Sequence, residues 1–104
     1  MFPKIIGCYI PPDRAEHFAK CASPVEVHEV LENQDYPPLW VRTKSLGSSP
    51  AYLAYGRTAE GRYLFIPGIV FNKPPLKNVF MPVTVREMKP KERDYYLQKI
   101  KRGE

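Results

Sequence analysis

Proline sets the length of the elements that this sequence can form. The chain has 12 prolines in 104 residues, and six of them stand in the pairs Pro11-Pro12, Pro37-Pro38 and Pro74-Pro75. Proline has no backbone N–H and fixes φ, so it ends helices and is excluded from the interior of central strands. The chain must therefore fold from short helices and strands that are separated by proline-marked turns.

The size and composition predict one domain, residues 1–104, with a single core. No apolar run approaches the ~20 residues of a membrane span, and the N-terminus lacks the apolar stretch of a signal peptide. We therefore expect a cytoplasmic protein. Cys8 and Cys21 match no metal-ligand spacing. We expect them to be reduced, partly buried thiols, and we expect no metal or cofactor.

The first half of the chain predicts a strand followed by two helices. Residues 4–10 are rich in β-forming side chains, and Asp13 is a candidate cap for a helix that runs to about Lys20. The clearest local signal is the sequence from Ser23 to Glu26. There Ser23 and Glu26 can form a capping box, with proline at the first helical position. The second helix should end at about residue 32.

The second half predicts strands and a closing helix. Strands are expected over residues 39–43, 52–57, 62–66 and 79–86, with an interruption of the third strand at Pro67-Gly68. Gly61 can adopt the positive φ that a tight hairpin turn requires. Pro90 opens the last helix. The whole order predicts an α+β domain with an antiparallel sheet of four to five strands, two N-terminal helices and one C-terminal helix. We expect the helices to cover one sheet face.

The positive charge is concentrated in the second half. The net charge is +5, yet residues 1–50 hold five Lys and Arg against six Asp and Glu, while residues 51–104 hold eleven against five. Such a skew favours a polyanionic partner or an acidic protein. A solvated basic face is the alternative.

Three stretches resemble the BrnT family. They are the hairpin AYLAYGRTAEGRYLFI (residues 51–66), the segment VTVREMKPKERDYY (residues 83–96) and the helix over residues 23–33. The resemblance implies a RelE-like fold and a toxin of a toxin–antitoxin system, which is a metal-independent endoribonuclease. It also implies RNA and a cognate antitoxin protein as partners, in a homodimer or a hetero-oligomer.

The sequence departs from this family at two places. The family's Lys-His-Gly motif appears here as Lys20-Cys21-Ala22, which removes the side chain best suited to move a proton near neutral pH. The connection over residues 67–78 is also longer and richer in proline. These departures keep open a non-catalytic module that binds nucleic acid or protein, and a structural protein that associates through a strand edge.

Metal-free RNA cleavage needs a base for the ribose 2′-OH, an acid for the leaving 5′-oxygen, and cations at the phosphate. Arginine suits phosphate because its planar fork matches two oxygens. The candidates for direct roles in cleavage are Arg86, Lys20, Arg57 and His17. The candidates for RNA binding are Arg62, Arg93, Tyr95, Lys89 and Lys91.

Each candidate also has a structural interpretation. Arg86 is the best single candidate, because it matches the arginine that ends a strand in the family, and alternation places it opposite Val83 and Val85. Its structural interpretation is an ion pair with Glu87 or Glu92, or an exposed arginine. Arg57 and Arg62 are a possible cross-strand pair or two solvated hairpin ends. Lys20 and His17 can be ordinary surface residues. Tyr95, rather than Tyr96, is expected to be exposed, since Tyr96 shares the apolar stripe of the last helix.

Overall fold

The computed structural model describes residues 5–46 and 49–101. Within these residues the chain forms three helices and six strands. In chain order they are β1 (Gly7–Cys8), α1 (Pro12–Phe18), α2 (Pro24–Glu32), β2 (Leu39–Leu46), β3 (Ser49–Arg57), β4 (Tyr63–Val70), β5 (Val79–Pro82), β6 (Arg86–Glu87) and α3 (Pro90–Lys101). The predicted α+β class, with two N-terminal helices and one C-terminal helix, is confirmed.

The strands form one sheet in the order β1-β5-β4-β3-β2, and β6 also pairs with β4. The pairings of β2 to β6 are antiparallel, as predicted. β1 differs, because it pairs with β5 in parallel. β1 is also much shorter than the predicted strand, whose first residue, Lys4, lies outside the described residues.

Helices lie on both faces of the sheet, so the expectation of one covered face was wrong. Gly56 of β3 faces α2, where a Cβ would meet the side chain of Val30. Tyr55, the preceding residue, points the other way and packs against Tyr95 of α3, with ring centroids 5.6 Å apart. Alternate residues of a strand point to opposite faces. Because β3 and β4 carry apolar side chains on both faces, the apolar stripe of α3 can be buried on the face opposite α2.

The core lies between the sheet and the first two helices. α1 and α2 bring Phe18, Val27 and Val30 to this layer, each at most 2% exposed. The sheet contributes a larger buried set, which includes Ala54, Leu64, Ile66, Val70 and Phe80, and the connection between β5 and β6 adds Val85. On the other face, Tyr96 is fully buried and its hydroxyl donates to the carbonyl of Pro37 at 2.9 Å. Burial raises the pKa of Tyr96 to about 12.

The start of α2 agrees with its prediction, and the start of α1 does not. The capping box of α2 is confirmed, because Ser23 Oγ accepts from the Glu26 amide at 3.2 Å and Glu26 Oε1 accepts from the Ser23 amide at 3.1 Å. The predicted cap of α1 was wrong. Pro11 is its N-cap, Asp13 lies within the first turn, and the helix ends at Phe18. Proline at the first helical position fixes this start without a side-chain hydrogen bond.

The hairpin is confirmed, and its second strand lacks the interruption expected at Pro67-Gly68. Gly61 has a φ of +96°, and the Thr58 amide donates to the Arg62 carbonyl at 2.8 Å. β4 runs through Pro67 and Gly68 without a change of register. Arg57 pairs with Tyr63 across the hairpin, so the predicted cross-strand pair of Arg57 and Arg62 was wrong.

The predicted strand over residues 79–86 is two strands with a shift between them. β5 pairs Gly68 with Pro82, whereas β6 pairs Phe65 with Arg86. Arg86 therefore lies four positions after Pro82, whereas their partners on β4, Phe65 and Gly68, are only three positions apart. One extra residue moves the following side chains to the opposite face of a sheet. Arg86 consequently points to the face of α3, and Val83 and Val85 do not share a face.

Among residues 5–46 and 49–101, no helix is long and apolar enough to cross a membrane. Cys8 and Cys21 are both free thiols. Cys8 is partly buried, and burial raises the pKa of its thiol to about 12. Cys21 is exposed, contrary to the expectation of partial burial.

Candidate functional site

A small cleft lies where the hairpin, β6 and the start of α3 meet. It has a volume of about 250 Å³. Its lining residues come from these three elements and are Gly61, Arg62, Tyr63, Glu87, Met88 and Arg93. We call it the Arg62–Arg93 cleft. It combines two guanidinium groups, a phenol and a carboxylate.

Backbone hydrogen bonds bring the three elements of the cleft together. β6 pairs with β4 through Leu64 and Glu87. The Met88 amide then donates to the Tyr63 carbonyl at 3.0 Å. The short turn that follows leads directly into α3, in which the Arg93 amide donates to the Lys89 carbonyl at 3.0 Å.

Arg62 connects the cleft to α2 and to the loop that precedes it. Its Nη1 pairs with Glu26 Oε2, and its Nη2 pairs with Glu87 Oε2 at 3.2 Å. Nη2 also donates to the carbonyl of Cys21. The interactions with Glu26, and then with Glu87, raise the pKa of Arg62. The Ser23 amide and the Arg62 guanidinium lower the pKa of Glu26. The contact with Cys21 places the Lys20–Cys21 loop beside the cleft.

Arg93 offers the more accessible cation of the cleft. Its guanidinium carbon lies 5.7 Å from the centroid of the Tyr63 ring. Within the described residues, no carboxylate lies within 4.0 Å of Arg93. Glu87 is also accessible, since its side chain is 69% exposed. An incoming anion can therefore reach Arg93 directly, in the same cleft that Glu87 lines.

Arg86, the leading candidate from the sequence, forms an ion pair with Glu92 of α3. Its guanidinium lies 4.1 Å from the centroid of the Phe65 ring and makes a two-pronged ion pair with Glu92, at 2.7 and 2.8 Å. It also donates to the carbonyl of Glu87 at 3.1 Å. Arg86 does not line the Arg62–Arg93 cleft.

Arg57 lies in a different pocket, of about 520 Å³. Its guanidinium stacks on Tyr36 at 4.0 Å, and its Nε is buried without a hydrogen-bond partner among the described residues. The pocket is also lined by three carboxylates, those of Glu29, Glu32 and Asp35. Their charge opposes the entry of a phosphate.

The remaining candidates do not line the cleft. Lys20 and His17 are exposed on the α1–α2 side, and Lys89 and Lys91 are exposed at the start of α3. Tyr95 is 40% exposed, as expected, but it packs beside Tyr55. Residues two positions apart on a helix lie about 200° apart, so Tyr95 and Arg93 occupy different flanks of α3.

Glu87 and Tyr63 were not predicted from the sequence as site residues. Glu87 was considered only as an ion-pair partner of Arg86. Tyr63 belonged to a strand and carried no motif of its own. The alternation of β4 was a usable signal, because it places Tyr63 on the face opposite Leu64. Among the described residues, no group of three or more His, Cys, Asp or Glu side chains is arranged to hold a metal ion.

Comparison with known proteins gives no match, either to a family model or to a curated protein. The resemblance to the BrnT family therefore rests on the quoted stretches alone.

The Glu92 ion pair predicts a specific pH dependence of stability. The Arg86 hydrogen bonds hold the pKa of Glu92 at about 2, below its usual 4.5. A carboxyl group with a lowered folded-state pKa stabilises the protein fully above its unfolded pKa, and this contribution is lost as the pH falls toward the folded pKa. E92Q should therefore cost about 1–2 kcal/mol at pH 7, allowing for solvent screening, and almost nothing at pH 2.

Urea unfolding of wild type and E92Q at pH 7, 4.5 and 2.5 measures this difference. E16Q, which changes an exposed glutamate on α1, is the control and should match wild type at each pH. An E92Q effect that is the same at pH 7 and pH 2.5 would contradict the ionic explanation.

Proposed function

We propose that this protein is a metal-independent endoribonuclease of the toxin class, and that it acts on unpaired RNA in the Arg62–Arg93 cleft. The observation that carries the proposal is the meeting of Arg62, Arg93, Tyr63 and Glu87 in one open cleft. These are the group types that phosphodiester cleavage by an internal 2′-OH requires.

The roles follow from accessibility. Arg93 binds the scissile phosphate and offsets its growing charge, and Arg62 contributes from the opposite wall. Glu87 accepts the proton of the ribose 2′-OH as its oxygen attacks phosphorus. The Tyr63 hydroxyl donates a proton to the leaving 5′-oxygen. The products are a 2′,3′-cyclic phosphate and a 5′-hydroxyl. Glu87 thus supplies a proton acceptor in a chain that lacks the histidine of the family's Lys-His-Gly motif.

The wider features of the chain support a toxin paired with an antitoxin in the cytoplasm. The basic second half suits RNA, and it also suits an acidic antitoxin surface that would cover the cleft. The BrnT-like stretches of the hairpin and α3 contain Arg62, Tyr63, Glu87 and Arg93. The oligomer would then include the cognate antitoxin.

The direct test is cleavage of an unstructured RNA in excess EDTA. We expect cleavage that leaves 2′,3′-cyclic phosphate ends. The same oligonucleotide with 2′-deoxyribose throughout should bind and remain intact, because the attacking hydroxyl is absent. Cleavage of the deoxy oligonucleotide, or hydrolysis that leaves no cyclic phosphate, would contradict the proposed chemistry.

Arg93 should account for about one phosphate contact. In R93A, RNA affinity should fall at low salt, and the slope of log K against log salt should decrease by about 1. K73A is the control, since Lys73 is exposed in the loop after β4 and lies away from the cleft. Equal salt slopes for wild type and R93A would remove Arg93 from the binding site.

A binding module without nuclease activity is the second candidate. It is favoured by the carboxylate partners of Arg62, because Glu26 and Glu87 already occupy its guanidinium. This function predicts salt-dependent binding of RNA and of the deoxy oligonucleotide, with no cleavage of either by wild type. Cleavage of RNA by wild type that is lost in a cleft variant would exclude it.

A further inference from the structure

The ion pair between Arg86 and Glu92 stands beside the cleft without lining it. Each partner immediately precedes a cleft residue: Arg86 precedes Glu87 on β6, and Glu92 precedes Arg93 on α3. We infer that the Arg86–Glu92 pair is a bracket that positions Glu87 and Arg93 relative to each other. Its consequence for RNA cleavage rests on the proposed function, whereas the positioning itself does not.

The geometry of the bracket restricts both elements. Its two parallel contacts, at 2.7 and 2.8 Å, fix the orientation of the Arg86 guanidinium and not only its distance. Arg86 Nη1 also donates to the carbonyl of Glu87, and Glu92 Oε1 accepts from the Lys89 amide at 2.8 Å. The bracket therefore holds the β6 backbone, the turn at Lys89 and the first turn of α3 together.

The Arg86 guanidinium also packs against the sheet. Arg86 lies 4.1 Å from the centroid of the Phe65 ring, and Phe65 is the β4 partner of Arg86 in the sheet. The one-residue shift between β5 and β6 is what turns Arg86 to this face. Without it, Arg86 would point toward α1 and α2, and Glu87 would point away from Arg62.

A positioning role and a catalytic role for Arg86 predict different effects of E92Q on RNA cleavage. In E92Q, Arg86 keeps its charge and loses its carboxylate partner. If Arg86 bound the phosphate itself, this release would leave RNA cleavage unchanged or raise it. If Arg86 positions Glu87 and Arg93, the same release lowers cleavage, because misplacement of a catalytic group by about 1 Å costs up to about 100-fold.

The experiment compares wild type, E92Q, R86K and the surface control E16Q. The first readout needs no RNA. It is the NMR cross-peak between the Arg93 side chain and the Tyr63 ring. The guanidinium carbon of Arg93 lies 5.7 Å from the centroid of that ring. We expect this cross-peak to be lost or strongly weakened in E92Q and R86K, while the cross-peaks of the buried Tyr96 ring and the cooperative thermal unfolding are retained.

The second readout is the steady-state kinetics of RNA cleavage. We expect kcat/KM to fall about 10- to 100-fold in E92Q and R86K and to stay unchanged in E16Q. An unchanged Arg93–Tyr63 cross-peak in both E92Q and R86K would overturn the bracket, whatever the RNA results are. A wild-type protein that shows the cross-peak and leaves RNA intact would overturn the proposed nuclease and leave the bracket to be decided by the NMR comparison.

Discussion

Replacement of Glu87 by glutamine should lower the rate of RNA cleavage by about 100-fold or more, since this is the usual contribution of a general base. Glutamine keeps the shape of the side chain and cannot accept the proton of the 2′-OH. RNA affinity should be retained or slightly increased, because E87Q removes one negative charge from a phosphate-binding cleft. The measurements are single-turnover cleavage and equilibrium binding of the uncleavable deoxy oligonucleotide.

The fold should tolerate this substitution. The Glu87 side chain is 69% exposed, and its contact with Arg62 is 3.2 Å long. Exposed ion pairs contribute about 0–1 kcal/mol to stability. E60Q is the matched control, because Glu60 is exposed in the adjacent turn and does not line the cleft. If E87Q cleaves RNA at the wild-type rate, the base must be another group.

The parts of the fold that the sequence predicted well depend on neighbouring residues. The capping box of α2 involves side chains three positions apart, and the hairpin turn needs only a glycine with positive φ at Gly61. The exposure of Tyr95 and the burial of Tyr96 followed from helical periodicity. In each case the determining interactions lie within a few residues along the chain.

The cleft depends on distant contacts that local patterns do not encode. Arg62 reaches Glu26, which is 36 residues away, and the carbonyl of Cys21, which is 41 residues away. Alternation along the chain also failed between β5 and β6. A single shifted residue there reverses which side chains face which helix, and a short valine-rich stretch gives no sign of it.

The sequence showed the types of residue in the site more reliably than their roles. It placed the cations in the hairpin, β6 and α3, and these elements do meet. It ranked Arg86 first because Arg86 matches the arginine that ends a strand in the BrnT family. It could not show that Glu92 already satisfies that guanidinium, whereas Arg93 remains accessible. The choice among several arginines is decided by their carboxylate neighbours in three dimensions.

The largest effect on stability is expected from Gly68→Ala. Gly68 lies in β4, where a Cβ would be 2.5 Å from the backbone carbonyl oxygen of Met81 and 2.5 Å from Cζ of Phe80. Neither atom can move easily, because Met81 is part of β5 and the Phe80 ring is fully buried. Overpacking usually costs 1–3 kcal/mol, and a clash with backbone should reach about 3 kcal/mol or more.

Gly7→Ala is the matched control, since a Cβ at Gly7 would have no neighbouring atom within 4 Å. Its stability should stay within about 1 kcal/mol of wild type. Urea unfolding of both variants measures the contrast, and a G68A protein as stable as G7A would contradict the close contact of β4 with β5. Because β6 follows β5 along the same edge of β4, separation of β5 would also displace Glu87. G68A should therefore lose RNA cleavage together with stability, and G7A should keep both.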